Sequence, residues 1–194
     1  MKKYFFIALL VFFAWQHWSS RSQFQPDGVL AAAMPEQRDI DNAKPFELNG
    51  YTITPLATFT LNGRVLSKTD YFFGREADLA PVDIAFGWGK MSDSAVLDKV
   101  SISQGNRWYT WHTDKPPIPL REIELSSANM HLVPADAIVK RAIQNVRAGQ
   151  LVNLQGKLIK IAAPDGWRWQ SSLTREDVGG GACELVYVES FSAK

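Results

Sequence analysis

Residues 150–191 read QLVNLQGKLIKIAAPDGWRWQSSLTREDVGGGACELVYVESF, and their patterning decides the fold. Val152, Leu154 and Gly156 alternate with Asn153 and Gln155, the period of a half-buried strand. Leu158, Ile159 and Ile161 carry the apolar run onward. Pro164-Asp165-Gly166 makes a turn: proline presets φ, aspartate bonds nearby backbone, and glycine accepts positive φ. Trp167, Trp169 and Ser171 then fall on one side of a second strand, with Arg168, Gln170 and Ser172 on the other. A polar loop, Thr174 to Gly181, leads to a last strand from Ala182 to Phe191. The expected arrangement is an antiparallel meander of three strands.

The segment FTLNGRVLSK, 59–68, follows the same pattern as VNLQGKLIKI, 152–161. Each runs apolar residue, leucine, amide, glycine, basic residue, apolar pair. A glycine in mid-strand permits strong bending, as in small barrels of the OB type. The likeness is too short for a repeat period, so both segments read as ordinary bent strands. Two strands are expected early, Leu48 to Leu56 and Phe59 to Ser67, with an edge strand from Pro81 to Phe86. Ser92 or Asp93 caps a short helix reaching Lys99. Val100–Gln104 and Arg107–His112 form a hairpin over Gly105-Asn106. That second strand carries aromatics on both faces and is expected to be covered on both. Glu122 to Ser126 reads as a further strand.

The main helix is expected over 134–148. Pro134 stands at its start, Asp136 in its first turn and Gly149 just past its end. Ile138, Val139, Ala142, Ile143 and Val146 form its apolar stripe. The fold class is therefore α+β: a bent antiparallel sheet or open OB-like barrel with one main packed helix.

The amino terminus addresses location. Lys2 and Lys3 precede YFFIALLVFFAW, with Trp15 and Trp18 as interfacial anchors. The run is near the lower limit of the about 17–25 residues that a spanning helix needs, and no small-x-small cleavage site follows it. The reading is a single-pass anchor over 1–20 in the cytoplasmic (inner) membrane. A linker, 21–45, with Pro26, Pro35 and Pro45, then leads to an extracytoplasmic or periplasmic body, 46–194. The alternative is secretion after signal cleavage. Formal net charge is +1, and with the two leading lysines set aside the charges nearly cancel, which argues against a nucleic-acid partner.

Few residues carry chemistry. Cys183, the single cysteine, follows Gly179-Gly180-Gly181. Asn129 and His131 lie in SSANMHLVPA, expected as a loop before the helix. If the two loops meet, histidine takes the thiol proton, Asn129 fixes the ring, and glycine amides supply an oxyanion hole. Glu184 is a weaker orienting group. The competing reading makes Cys183 a small buried apolar residue. Trp167 and Trp169, beside Arg168, are the best candidates for an exposed stacking pair, and Arg175 and Asp177 for a carboxylate-binding pair. His112, Asp114 and His131 lack the spacing of a zinc site, and no cofactor motif is present.

The first expectation is a non-enzymatic binding or assembly module at the bacterial cell envelope, with an unknown protein or cell-wall partner. The alternative is a thiol-dependent hydrolase or transferase using Cys183 and His131 on peptide or cell-wall amides.

Overall fold

The computed structural model describes residues 22–174 and 182–194. The expected anchor, 1–20, lies outside the described residues, as do the glycine run 179–181, Arg175 and Asp177. The fold is mixed α and β, rich in strand, with a bent sheet and few helices.

The bend originates in β3, one continuous strand Tyr51–Asp70 where the sequence reads as two. Its register against β8 (Leu151–Ala162) shifts between Pro55 and Ala57. Proline has no N–H to give the ladder, and a bulge accommodates it. A second shift falls between Val65 and Ser67, opposite β4 (Val82–Gly87). Thr52 to Arg64 can therefore pair with β8 while Arg64 to Asp70 pairs with β4. The two similar segments found in the sequence are direct neighbours here, with Leu61 opposite Leu154 and Asn62 opposite Asn153. The Asn153 amide donates to Asn62 Oδ1 at 2.7 Å.

From β4 the sheet continues antiparallel to β7 (Ser127–Pro134), then parallel to β10 (Glu184–Ala193), then antiparallel to β8, which returns to β3. These five strands thus close on themselves. Inside lie Phe59, Leu61, Ile84, Phe86, Met130, Leu132, Leu154, Leu158 and Val186. A helix between β7 and β8, Ala137–Asn145, adds Val139 and Ile143 to the same core, and Val146 follows.

Several expectations shift. The main helix begins at Ala137 because Pro134 ends β7 and Asp136 is the N-cap, accepting from the Ile138 and Val139 N–H groups at 2.8 Å each. Ile138, assigned to the apolar stripe, is 69% exposed. SSANMHLVPA supplies β7 rather than a loop. Glu122 to Ser126 belongs to a helix, Leu120–Leu125, with Ile123 buried beneath it. The short strand β9 (Arg168–Gln170) and β10 both pair with β8, at successive positions along its length. They lie end to end there, so the meander does not form. The turn between β8 and β9 is as expected: Gly166 has φ of 89°, and Asp165 Oδ1 accepts from the Trp167 N–H at 3.1 Å.

Residues 22–45, expected as a linker, run along the body. The Gln23 N–H donates to Ala148 O at 2.7 Å, Gly28 N–H to Asp93 Oδ1 at 2.8 Å, and Ala31 N–H to Ser92 Oγ at 3.0 Å. Asp93 also caps the short helix Ser94–Leu97. Strand β1 (Glu36–Asp39) pairs with β3, as does β2 (Phe46–Leu48). Among the described residues no helix is long and apolar enough to cross a membrane.

Gly156 marks the tightest approach of β8 to β10, where a Cβ would run into the Tyr187 carbonyl oxygen. Gly156→Ala is expected to cost at least about 2 kcal/mol, as overpacked sites do. A urea unfolding midpoint, compared with that of Gly166→Ala in the exposed turn, measures it.

Candidate functional site

Strand alternation divides β4 and β7 between two faces. Val82, Ile84, Met130 and Leu132 point into the barrel core. Asp83, Asn129 and His131 therefore point outward. That outer face is also covered: Leu79, Ala80, Val133, Ile159, Ile161 and Leu185 form a second cluster, with Trp167 and Trp169 packed against it. Asp83 and His131 are direct cross-strand partners, and Leu185 of β10 stands opposite His131 on the other side.

Asp83 is fully buried and meets two cationic side chains. Arg107 Nη1 lies 2.6 Å from its Oδ1, and His131 Nδ1 lies 3.0 Å from its Oδ2. The histidine contact has ion-pair distance, with the ring N–H off the line of an ideal hydrogen bond. His131 is 5% exposed, and the Trp169 ring covers it at 4.9 Å between centroids. Burial disfavours the imidazolium. The nearby Asp83 carboxylate and the Cys183 side chain outweigh burial and push the His131 pKa up to about 9.

Cys183 immediately precedes β10 and is half-buried. Asn129 Nδ2 is 3.8 Å from its Sγ, and Arg107 O is 3.9 Å from it. The end of β9 fixes this position: the Ser172 N–H donates to Cys183 O at 3.2 Å, and Ser171 Oγ accepts from the Leu185 N–H at 3.0 Å.

A separate two-stranded sheet, β5 (Ser101–Gly105) and β6 (Trp108–His112), stands over the site. Its turn centres on Asn106 and Arg107, one residue later than expected, with φ of 51° and 67°. Arginine in the left-handed region is strained. Four contacts hold it. Tyr71 Oη accepts from its N–H at 2.9 Å, its guanidinium lies 3.8 Å over the Tyr71 ring, and its Nη1 reaches Ala80 O as well as Asp83. Asn129 ties the turn to β7: Nδ2 donates to Arg107 O at 3.2 Å, and Oδ1 accepts from Gln104 at 2.6 Å.

The hairpin roofs a cleft of about 310 Å³, with Trp108, Tyr109 and Trp111 on its own side, Trp88 beneath, and Asn129 and Cys183 at the other side. Only one face of β6 is covered; Trp108 is 49% exposed. The expectation of cover on both faces therefore fails, because the hairpin pairs with no strand of the barrel.

The structure brings Cys183, His131 and Asn129 together. The group that orients the ring is Asp83, and Asn129 touches the thiol instead. A single acid inside the apolar run Val82-Asp83-Ile84-Ala85-Phe86 was the available signal for Asp83. Trp167 and Trp169 are half-buried and pack on each other at 6.1 Å, so they form no exposed pair, while Arg168 is exposed. His112 pairs with Asp114 at 3.2 Å on the surface. Among the described residues no group of three or more His, Cys, Asp or Glu is placed to hold a metal ion.

Comparison with protein-family models, with curated proteins and with solved structures finds no match for this chain.

The raised His131 pKa has a consequence for stability. An unfolded imidazole titrates near 6.5 and the folded one near 9. The stabilisation is complete below pH 6.5 and is lost as pH rises through 9. Unfolding free energy is expected to fall by roughly 3 kcal/mol over that window. His131→Gln should flatten the profile, read from urea midpoints at pH 6 and pH 9.5.

Proposed function

We propose that this chain is a thiol-dependent acyl-transfer enzyme, with Cys183 as nucleophile, His131 as acid and base, and Asp83 holding the ring. The observations that support it are the contact of His131 Nδ1 with the buried Asp83 carboxylate at 3.0 Å and the position of Cys183 two residues before Leu185, the strand neighbour of His131. The Sγ attacks the carbonyl carbon of an amide, ester or thioester, a C–S bond forms, and the carbonyl electron pair moves to oxygen. Asn129 Nδ2, 3.8 Å from Sγ, is the side-chain donor beside the thiol for that oxyanion. The bond to the leaving group then breaks, and the leaving group takes the His131 proton. Water, deprotonated by His131, attacks the thioester and releases acid and free thiol.

The proposed scaffold is a barrel of the OB type. The strand order β3-β4-β7-β10-β8, its single parallel pair β7–β10, and a helix between β7 and β8 support this assignment. The proposed location is the outer side of the cytoplasmic membrane, held by residues 1–20, on the strength of Lys2, Lys3 and the apolar run that follows.

A second reading, a binding or assembly module at the envelope, draws on the aromatic cleft under the hairpin. There Cys183 is one wall residue among several.

Intact mass after exposure of the full chain to an activated ester separates the two. The enzyme reading expects one acyl group on Cys183, none in Cys183→Ala, and acylation slowed at least about a hundredfold in His131→Ala. Absence of an adduct, with Cys183 labelled by iodoacetamide only after unfolding, would turn the function to binding.

A further inference from the structure

The cleft beside Cys183 has a definite size and charge. At about 310 Å³ it has the volume of roughly ten waters of about 30 Å³ each, and so holds a group of that many heavy atoms. Four aromatic rings contribute to its walls, those of Trp88, Trp108, Tyr109 and Trp111. Among the described residues that line it there is no lysine, arginine or histidine, and the charged ones are Glu124 and Glu184. A phosphate or carboxylate placed there would lose hydration. A flat apolar group would instead be buried against ring faces. Cys183 and Asn129 also line the cleft, so a group lodged in it lies beside the thiol residue.

We propose that the cleft is the acyl-side pocket of the site, and that it selects acyl donors whose acyl part carries an uncharged aromatic or branched aliphatic group. This rests on the thiol-enzyme reading above and adds the substrate class to it. Trp108 is the specificity-determining residue, because it lines the cleft and, at 49% exposed, is the ring least committed to packing within the fold.

Three reagents with one reactive end test this on the full chain: iodoacetamide, N-phenethyl iodoacetamide and N-(2-carboxyethyl) iodoacetamide. In each, Sγ forms a bond to the methylene carbon and iodide leaves, so only the tail differs. Glutathione treated identically gives the intrinsic ratios. Relative to those ratios, the phenethyl reagent should label Cys183 on the order of tenfold faster than iodoacetamide and saturate with concentration, as ring burial predicts. The carboxyethyl reagent should be no faster than iodoacetamide. Trp108→Ala should abolish the phenethyl advantage, and Trp108→Phe should restore most of it. If the three ratios equal those of glutathione while labelling still depends on His131, the pocket assignment fails and the thiol enzyme stands. If Cys183 resists all three reagents until the chain is unfolded, both fail.

Discussion

A carboxylate with no access to water, Asp83, is the constraint around which the rest of the outer face is arranged. An isolated buried anion is costly, and removing one partner of a buried pair leaves an uncompensated charge. Asp83 is neutralised from two directions, by Arg107 from the hairpin turn and by His131 from the neighbouring strand. Each partner is in turn constrained by its own contacts. Arg107 is held by Tyr71 and Ala80 in a backbone conformation that arginine rarely adopts. His131 is held by strand pairing and covered by Trp169. One buried charge thus ties β4, β7, β9 and the hairpin into a single unit.

This arrangement also makes the face chemically asymmetric. The barrel interior is packed mainly with aliphatic, aromatic and thioether side chains, whereas the outer face mixes a second apolar cluster with charged and amide groups. A polar group there is surrounded by low-dielectric material on every side but one, where Cys183 meets the cleft. Electrostatic interactions are strengthened under such conditions, and that is where perturbed titration and chemistry coincide.

The same asymmetry explains which features were legible in the sequence. Where one face of a strand is core and the other is more open, as in 152–157, alternation is plain and the sequence reads as a strand. In Ser127–Pro134 both faces are buried and the outer one carries Ser127, Asn129 and His131, so no binary pattern survives and the segment was taken for a loop. Leu120–Leu125 misled for the opposite reason. Its Ile-Glu-Leu alternation resembles a strand, but Ile123 alone is buried, which one turn of helix achieves as well. Types of residue at the site could be named from the sequence, since a lone cysteine, a histidine and an asparagine are conspicuous. Their meeting could not, because it depends on the register that sets Glu184 beside Met130 and Leu185 beside His131. Asp83 was passed over because an acid in an apolar run reads as an interruption, and its partner across the sheet is invisible in one dimension.

The parallel pairing of β7 and β10 has a consequence in time as well as in space. Between these strands the chain must complete a helix, the long strand β8, its turn and β9 before β10 can insert. Contacts between such distant segments form late, since loop closure must come first. His131 acquires its neighbour Asp83 from an antiparallel strand that precedes it, but Cys183 reaches His131 only when the last strand seats and the barrel closes. A nascent or partly folded chain therefore carries its thiol apart from the residues that surround it in the finished fold. Closure of the barrel and the assembly of the Cys183 surroundings are one event, completed only when the last strand is in place.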